Sequence, residues 1–303
     1  VSPGVADGGA RTVAAGGRTP SAAASCLALE LGEGPTVLLV HGQPGSGADW
    51  WELASRLAAD HRVLAPDRPG WGSCSAPATG IAENARQLAA LLDADGGGPA
   101  TVVGHSFGAG VALALATSRR DLVRSLVLVG PVGTSAALSR VDALLARPLV
   151  GELAVRSGAA ALRAALRVAR SAAAPARVRE GVQGLERYAS VRALATRRPG
   201  AQPPWESFAV EQRALVQETP ALERSLASLE LPVALVHGTR DRVVPLSASR
   251  FMASRVPGAE VVVVRGAGHL LPFERADVLE EVVRRYATAL VRAVRPRTAT
   301  PAA

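Results

Sequence analysis

Ser106 stands between glycines in Gly104-His105-Ser106-Phe107-Gly108, Asp241 closes His237-Gly238-Thr239-Arg240, and His269 follows Gly266-Ala267-Gly268. A serine hydroxyl is a poor nucleophile until a base takes its proton. An imidazole serves as that base when a carboxylate fixes its tautomer and stabilises the imidazolium. The chain supplies the three types in the order Ser106, Asp241, His269. Around Ser106 the spacing is that of a strand turning sharply into a helix, because Thr101-Val102-Val103 precedes the motif and the Ala/Leu-rich segment 110–116 follows it. A Cβ at either flanking glycine would clash in so tight a turn. The apex hydroxyl would stand clear of the sheet, and the amide of Phe107 would lie at a helix N-terminus, where unpaired N–H groups and the macrodipole favour negative charge. Five residues with two free positions also describe a plain glycine-rich connection, so the assignment rests on the elements around it.

Those elements alternate. Leu27-Ala28-Leu29-Glu30-Leu31 reads as an edge strand, and Val37-Leu38-Leu39-Val40 is an unbroken apolar run of the kind buried on both faces of a sheet. It leads into His41-Gly42-Gln43-Pro44-Gly45-Ser46, a Gly/Pro turn whose Gln43 N–H is a candidate second oxyanion donor, since strand C-termini face the ligand crevice of a parallel sheet. A helix is expected over 49–59 with Asp49 as a possible cap, then a strand at 63–65. Asp67 after that strand reads as a turn-forming anchor. A helix over 82–92 places Ala85, Leu88, Ala89 and Leu92 on one face, and strands follow at 125–129, 231–236 and 260–264. Asp241 and His269 each come just after one of the last two. Strands alternating with helices in this way imply a mostly parallel sheet with helices on both faces, an α/β fold.

From Pro131 the rhythm breaks. Residues 134–210 carry no strand-like run, only Ala/Leu/Arg helices and a Pro-rich stretch ending at Trp205, and an excursion of that length suits a lid. The expected organisation is a flexible segment 1–24, a first core part 25–133, a helical cap 134–210, a second core part 211–295 and a flexible tail 296–303.

Composition narrows the chemistry further. With 303 residues and 48% hydrophobic content the chain is long enough for one large core. No run of eighteen apolar residues occurs, so no membrane span is expected, and residues 1–25 lack the apolar stretch of a signal peptide. Cys26 and Cys74 sit in unlike contexts, which argues against a disulfide and for a reducing compartment, taken here as the cytoplasm. The net charge of +8 is carried by arginines mixed with acidic residues, read as solvated helix faces without a nucleic-acid partner. Not one lysine is present, which removes P-loop, Schiff-base and Ser-Lys chemistry. No metal-ligand spacing appears, so neither a metal nor another cofactor is expected. His41 and His237 read as loop braces, His105 as pointing away from its neighbour Ser106, and His61 as exposed.

The G-x-S-x-G element, His41-Gly42-Gln43-Pro44-Gly45, Gly266-Ala267-Gly268-His269 and the order of Ser106, Asp241 and His269 together resemble the α/β-hydrolase superfamily, over residues 27–286. The resemblance implies Ser106 as nucleophile, His269 as base, Asp241 as its orienting acid, and the Gln43 and Phe107 amides as oxyanion hole. Some members place the acid after the strand that follows the elbow helix. Here that place reads Gly130-Pro131-Val132-Gly133, which leaves Asp241. Members that open epoxides or displace halide carry Asp at the apex, so Ser106 implies attack on a carbonyl: ester, lactone, thioester, amide, or a ketone in carbon–carbon cleavage. An esterase-like serine hydrolase acting on a small or medium apolar compound is the expectation. A non-hydrolytic cyclase, lyase or ligand sensor of the same fold stays open beside it. Trp50, Trp51, Leu138, Trp205 and Leu270 are the candidate substrate contacts. The partner expected is a small molecule, and the chain a monomer or homodimer.

Overall fold

A computed structural model describes residues 26–171, 174–180 and 202–288. In chain order its elements are β1 (Leu27–Leu31), β2 (Thr36–Val40), α1 (Trp51–Leu57), β3 (Arg62–Pro66), α2 (Ile81–Asp95), β4 (Ala100–His105), α3 (Phe107–Ser118), β5 (Val123–Val129), α4 (Arg140–Leu145), α5 (Val150–Arg170), α6 (Pro204–Ser225), β6 (Val233–Gly238), α7 (Leu246–Arg255), β7 (Glu260–Val264) and α8 (Ala276–Ala287). The seven strands form one sheet in the order β1-β3-β2-β4-β5-β6-β7. Only the β1–β3 pairing is antiparallel.

Alternation along the strands builds two apolar layers. Leu38 and Val40 of β2 join α2, α3 and α7 on one face, while Val37 and Leu39 join α1 and α8 on the other. Side chains of successive strand residues point to opposite faces. A strand apolar at every position therefore belongs between two helical layers. Each fully buried Leu or Val contributes about 1.5–3 kcal/mol, and β2, β4 and β6 are buried throughout. The sheet is consequently a rigid platform, and its carboxyl edge collects Gly42, Ser106, Asp241 and His269 in the loops and turns that follow four of its strands.

Between β5 and β6 the described residues contain helices and loops but no strand. α4 and α5 pack with α6, fastened by Gln212 Nε2 donating to Asp142 (2.8 Å) and by Arg213 pairing with Glu152 (2.6 Å). α6 opens on Pro204, where a missing N–H costs nothing, and runs without a break through the expected boundary at 210. The expected terminal segments 1–24 and 296–303, and the stretch 181–201 of the expected cap, lie outside the described residues.

Three local expectations are corrected. Ser46 rather than Asp49 is the N-cap, of a 3-10 turn (Gly47–Trp50) that precedes α1; Asp49 completes the capping box by accepting from the Ser46 amide at 2.9 Å. His61 is buried rather than exposed, its Nδ1 2.8 Å from Asp60, because the turn before β3 tucks beneath the loop after β1. Most consequentially, Cys26 and Cys74 are joined in a disulfide with Cα atoms 4.5 Å apart. Antiparallel pairing sets Leu27 opposite Pro66, and the Asp67 amide donates to the Cys26 carbonyl at 2.8 Å. The loop after β3 then folds back on itself and delivers Cys74. Linear context hides that proximity, and with both thiols paired the argument for a reducing compartment falls. No helix of the described residues is long and apolar enough to cross a membrane.

A cross-link spanning 48 residues restricts the unfolded chain by about 4 kcal/mol in the loop-entropy model. Reduction, or Cys74→Ser, should therefore lower the unfolding free energy by about 2–4 kcal/mol in urea titrations. Two titratable thiols in the denatured, unreduced chain, with no effect of reductant, would contradict the pairing.

Candidate active site

The turn from β4 into α3 holds Ser106 at φ 52° and ψ −116°, a region that side-chain-bearing residues rarely occupy. Its glycines are there for space. A Cβ on Gly104 would lie 2.5 Å from the Gly108 carbonyl oxygen, and one on Gly108 would lie 2.5 Å from that of His41. The surroundings enforce the strained residue: the Ser106 amide donates to Val129 of β5 at 2.9 Å, and its carbonyl accepts from Ala109 at 3.0 Å. Phe107 opens α3, so its N–H belongs to the first turn, where helical amides lack intrahelical acceptors.

Asp241 and His269 meet over Gly130. His269 Nδ1 lies 2.7 Å from Asp241 Oδ2, and a Cβ on Gly130 would come within 3.2 Å of the same nitrogen. The place that holds no carboxylate thus leaves room for the pair. Asp241 is well supplied with donors: Oδ1 accepts from the Val243 and Val244 amides at 2.8 and 2.9 Å, and Oδ2 also lies 3.3 Å from His237 Nε2. Burial raises its carboxyl, but the hydrogen bonds from His237 and His269, with the Val244 amide, outweigh that and hold it far below the ordinary carboxylate range. It is therefore a carboxylate, which only accepts. Nδ1 of His269 must carry the proton, leaving the Nε2 lone pair free to act as a base. The Ser106 hydroxyl makes no hydrogen bond among the described contacts, so the structure joins Asp241 to His269 and brings Ser106 to the same edge without closing the chain of three. Such contacts commonly tighten only with substrate bound.

Three other histidines brace this edge. His41 Nε2 accepts from the Arg68 amide at 2.9 Å, so its Nδ1 donates to the Gly42 carbonyl at 2.8 Å. His105 Nε2 donates to the backbone carbonyl of His269 at 2.9 Å, its ring 4.9 Å from that of His269. His237 Nδ1 pairs with Ser249 Oγ at 2.7 Å while Nε2 meets the Val244 carbonyl at 3.0 Å. Burial, reinforced by Arg68, holds His41 well below its ordinary value, and burial, with the His269 imidazole close by, brings His105 down to about 3. Both stay neutral in the folded chain where the unfolded chain protonates. For His105 the unfolded state binds more protons between pH 6.5 and about 3, so stability drops as pH drops through that window, by up to about 1.4 kcal/mol per unit, and His41 acts in the same direction. Urea midpoints should be level above pH 7 and drop steadily below 6.5. A flat profile from pH 7 to 4 would count against these assignments.

The loop after β2 lies beside the elbow, for a Cβ on Gly42 would approach Ser106 Cβ to 3.2 Å. Gln43 precedes a cis peptide to Pro44, and its Nε2 donates to the Phe208 carbonyl of α6 at 2.8 Å. Asp67 anchors the neighbouring loop as expected, accepting from Ser46 Oγ (2.7 Å), the Gly47 amide (2.8 Å) and Ser73 Oγ (2.7 Å). Sequence reasoning passed over Arg68. Its guanidinium donates to the carbonyls of His41 (3.0 Å) and Gly42 (2.8 Å), lies 4.7 Å over the Phe107 ring and pairs with Glu211 of α6. Both charged side chains are wholly buried, and burial pushes the Glu211 carboxyl up against the pull of Arg68. The only signal was an arginine in the loop after an apolar strand; its partner lies 143 residues away.

The candidate substrate contacts scatter. Trp50 is 1% exposed in the layer between α1 and the sheet, its ring edge-on to His105 at 6.5 Å. Trp51 is 58% exposed at the start of α1. A contiguous pair on a helix must diverge, one residue entering the core and the other leaving it. Leu138 packs partly buried on the layer that holds α2 and α3, and Trp205 lies under Arg156 of α5 at 5.7 Å. Leu270 remains beside His269 and starts the helical turn Leu271–Glu274, whose Glu274 accepts from the Gly268 amide at 2.7 Å.

A family model described as alpha/beta hydrolase fold matches residues 35–276. The chain is 32% identical over 264 residues to a 2-hydroxymuconate semialdehyde hydrolase of Pseudomonas putida, covering 84% of this chain and 88% of that protein. Among solved structures it resembles a variant of the meta-cleavage product hydrolase CumD, with 28% identity, TM-score 0.63 and coverage of 85% and 92%. An esterase from Thermogutta terrifontis matches in fold at 24% identity, with TM-score 0.65 and coverage of 86% and 92%.

Proposed function

Because the chain belongs to the α/β-hydrolase family of enzymes, we propose that it is a serine hydrolase in which Ser106, His269 and Asp241 act together on a carbonyl substrate. The observation that carries this reading is the 2.7 Å hydrogen bond from His269 Nδ1 to a buried, ionised Asp241 at the sheet edge that also bears the strained Ser106. In the reaction His269 Nε2 takes the Ser106 proton as Oγ bonds to the carbonyl carbon. The oxygen gains the electron pair and is held by the Phe107 and Gln43 amides, each worth about 3 kcal/mol. Collapse expels the leaving group, which takes the proton from His269, and water attacks the acyl-enzyme by the same path. The helices between β5 and β6 serve as the cap over this edge.

A carboxylic ester of a small or medium apolar compound is the substrate class proposed first, since the acyl-enzyme route needs nothing beyond these residues. Hydrolysis of a carbon–carbon bond next to a ketone is the second reading, favoured by the 32% identity to a 2-hydroxymuconate semialdehyde hydrolase. There the leaving group is a carbanion and needs an electron-withdrawing partner in the substrate. Steady-state rates with aryl esters of graded acyl length, beside a vinylogous 1,5-diketone, separate the two. Ester turnover exceeding diketone turnover in kcat/KM supports the first, the reverse order the second. Neither substrate turning over would send the search to a non-hydrolytic reaction of the same fold.

A further inference from the structure

Arg68 and Glu211 form a wholly buried ion pair, which costs several kcal/mol of desolvation and contributes little net stability compared with apolar side chains of similar volume. What the pair touches gives it a use. Arg68 Nη2 donates to the Gly42 carbonyl at 2.8 Å and Nε to the His41 carbonyl at 3.0 Å. The Gly42 carbonyl belongs to the same planar unit as the Gln43 N–H, and in a trans peptide the two point in opposite directions. A donor fixed on the carbonyl therefore aims the N–H away from the guanidinium. His41 Nδ1 grips the same oxygen at 2.8 Å, so the plane is held by two donors. Hydrogen bonds in series also polarise one another, which makes the Gln43 N–H a stronger donor. The guanidinium further lies over the ring of Phe107, the residue whose amide is the other proposed donor. α6 completes the arrangement, with Glu211 holding Arg68, Phe208 accepting from Gln43 Nε2 at 2.8 Å and Ser207 Oγ donating to Gly70 at 2.9 Å.

From this geometry we infer that Arg68 is the positioning residue of the oxyanion-binding loop, and that Glu211 transmits the seating of α6 to it. The inference rests on the serine-hydrolase reading above. Lysine in place of Arg68 keeps the charge but loses the planar fork that reaches Gly42, His41 and Glu211 at once. A misaimed donor weakens the transition state more than the bound substrate.

The test compares wild type, Arg68→Lys and the double variant Arg68→Met/Glu211→Met, which removes the pair without leaving a lone buried charge. The probes are p-nitrophenyl butyrate and a fluorophosphonate, whose phosphoryl oxygen occupies the oxyanion position. Circular dichroism and urea midpoints report on folding. Expected for both variants is a loss of about 10- to 100-fold in kcat and in labelling rate, with KM within about threefold. Should Arg68→Lys fail to fold, the double variant decides. A folded double variant with wild-type kcat and labelling rate would overturn the positioning role while leaving the serine-hydrolase reading intact, as would a loss confined to KM. A wild-type protein that neither labels nor turns over would overturn both.

Discussion

Ser106→Ala is expected to lower kcat by about 10⁴- to 10⁶-fold while leaving the unfolding midpoint near that of the wild type. The proposed reaction makes a covalent bond at Oγ, and among the described residues the other nucleophilic side chains are committed elsewhere: His105 to the His269 carbonyl, and Cys26 and Cys74 to each other. What survives would come from the oxyanion amides acting on a water-driven reaction. Removing the hydroxyl breaks no described hydrogen bond, so stability should hold; alanine keeps the Cβ already accommodated at φ 52°. Steady-state rates with p-nitrophenyl butyrate, beside circular dichroism, check both halves. Activity within tenfold of the wild type would remove Ser106 from the chemistry.

Asp241→Asn should cost about 10⁴-fold in kcat, by a mechanism that the local contacts specify. Oδ1 accepts from the amides of Val243 and Val244, so the new side chain would keep its carbonyl oxygen there. Its NH2 would then face His269 Nδ1, which now donates to Oδ2, and lie beside His237 Nε2, whose hydrogen bond goes to the Val244 carbonyl at 3.0 Å. One consequence is that His269 must offer its lone pair at Nδ1 and carry its proton on Nε2, where the base should be. The other is that the second amide N–H would be set against His237 Nε2–H, a donor already committed to Val244, in a wholly buried site. The folded state should therefore also lose about 1–3 kcal/mol, which Ser106→Ala should not. A rate profile that recovers at high pH would contradict the tautomer argument, since raising pH does not return the lone pair to Nε2. Near-wild-type turnover would send the search to another carboxylate.

How far the chain could be read in advance depended on the range of the forces involved. The strands at 37–40, 125–129 and 233–236 were legible because burial on both faces demands an unbroken apolar run, and the elbow because glycine is the only residue its backbone contacts admit. Asp241 and His269 could be paired because parallel topology sends consecutive strand ends to one edge. Long-range partners were not legible. Cys26 finds Cys74 through an antiparallel strand pairing, and Arg68 finds Glu211 across an insertion, neither of which leaves a local pattern. His61 shows the same limit on a smaller scale: a polar side chain in a turn reads as exposed until the loop that covers it is known. Of the candidate substrate contacts, Trp50 and Trp51 shared one sequence argument and ended on opposite sides of the protein surface.

The proposed chemistry requires Ser106 to be a nucleophile activated by the Asp241–His269 pair. Intact-mass labelling with a fluorophosphonate, followed by peptide mapping and repeated on His269→Ala, tests it most directly. One label per chain is expected, on Ser106, formed rapidly in the wild type and at least about a hundredfold more slowly without the imidazole. Labelling at another residue, or at Ser106 with the same rate in His269→Ala, would contradict it.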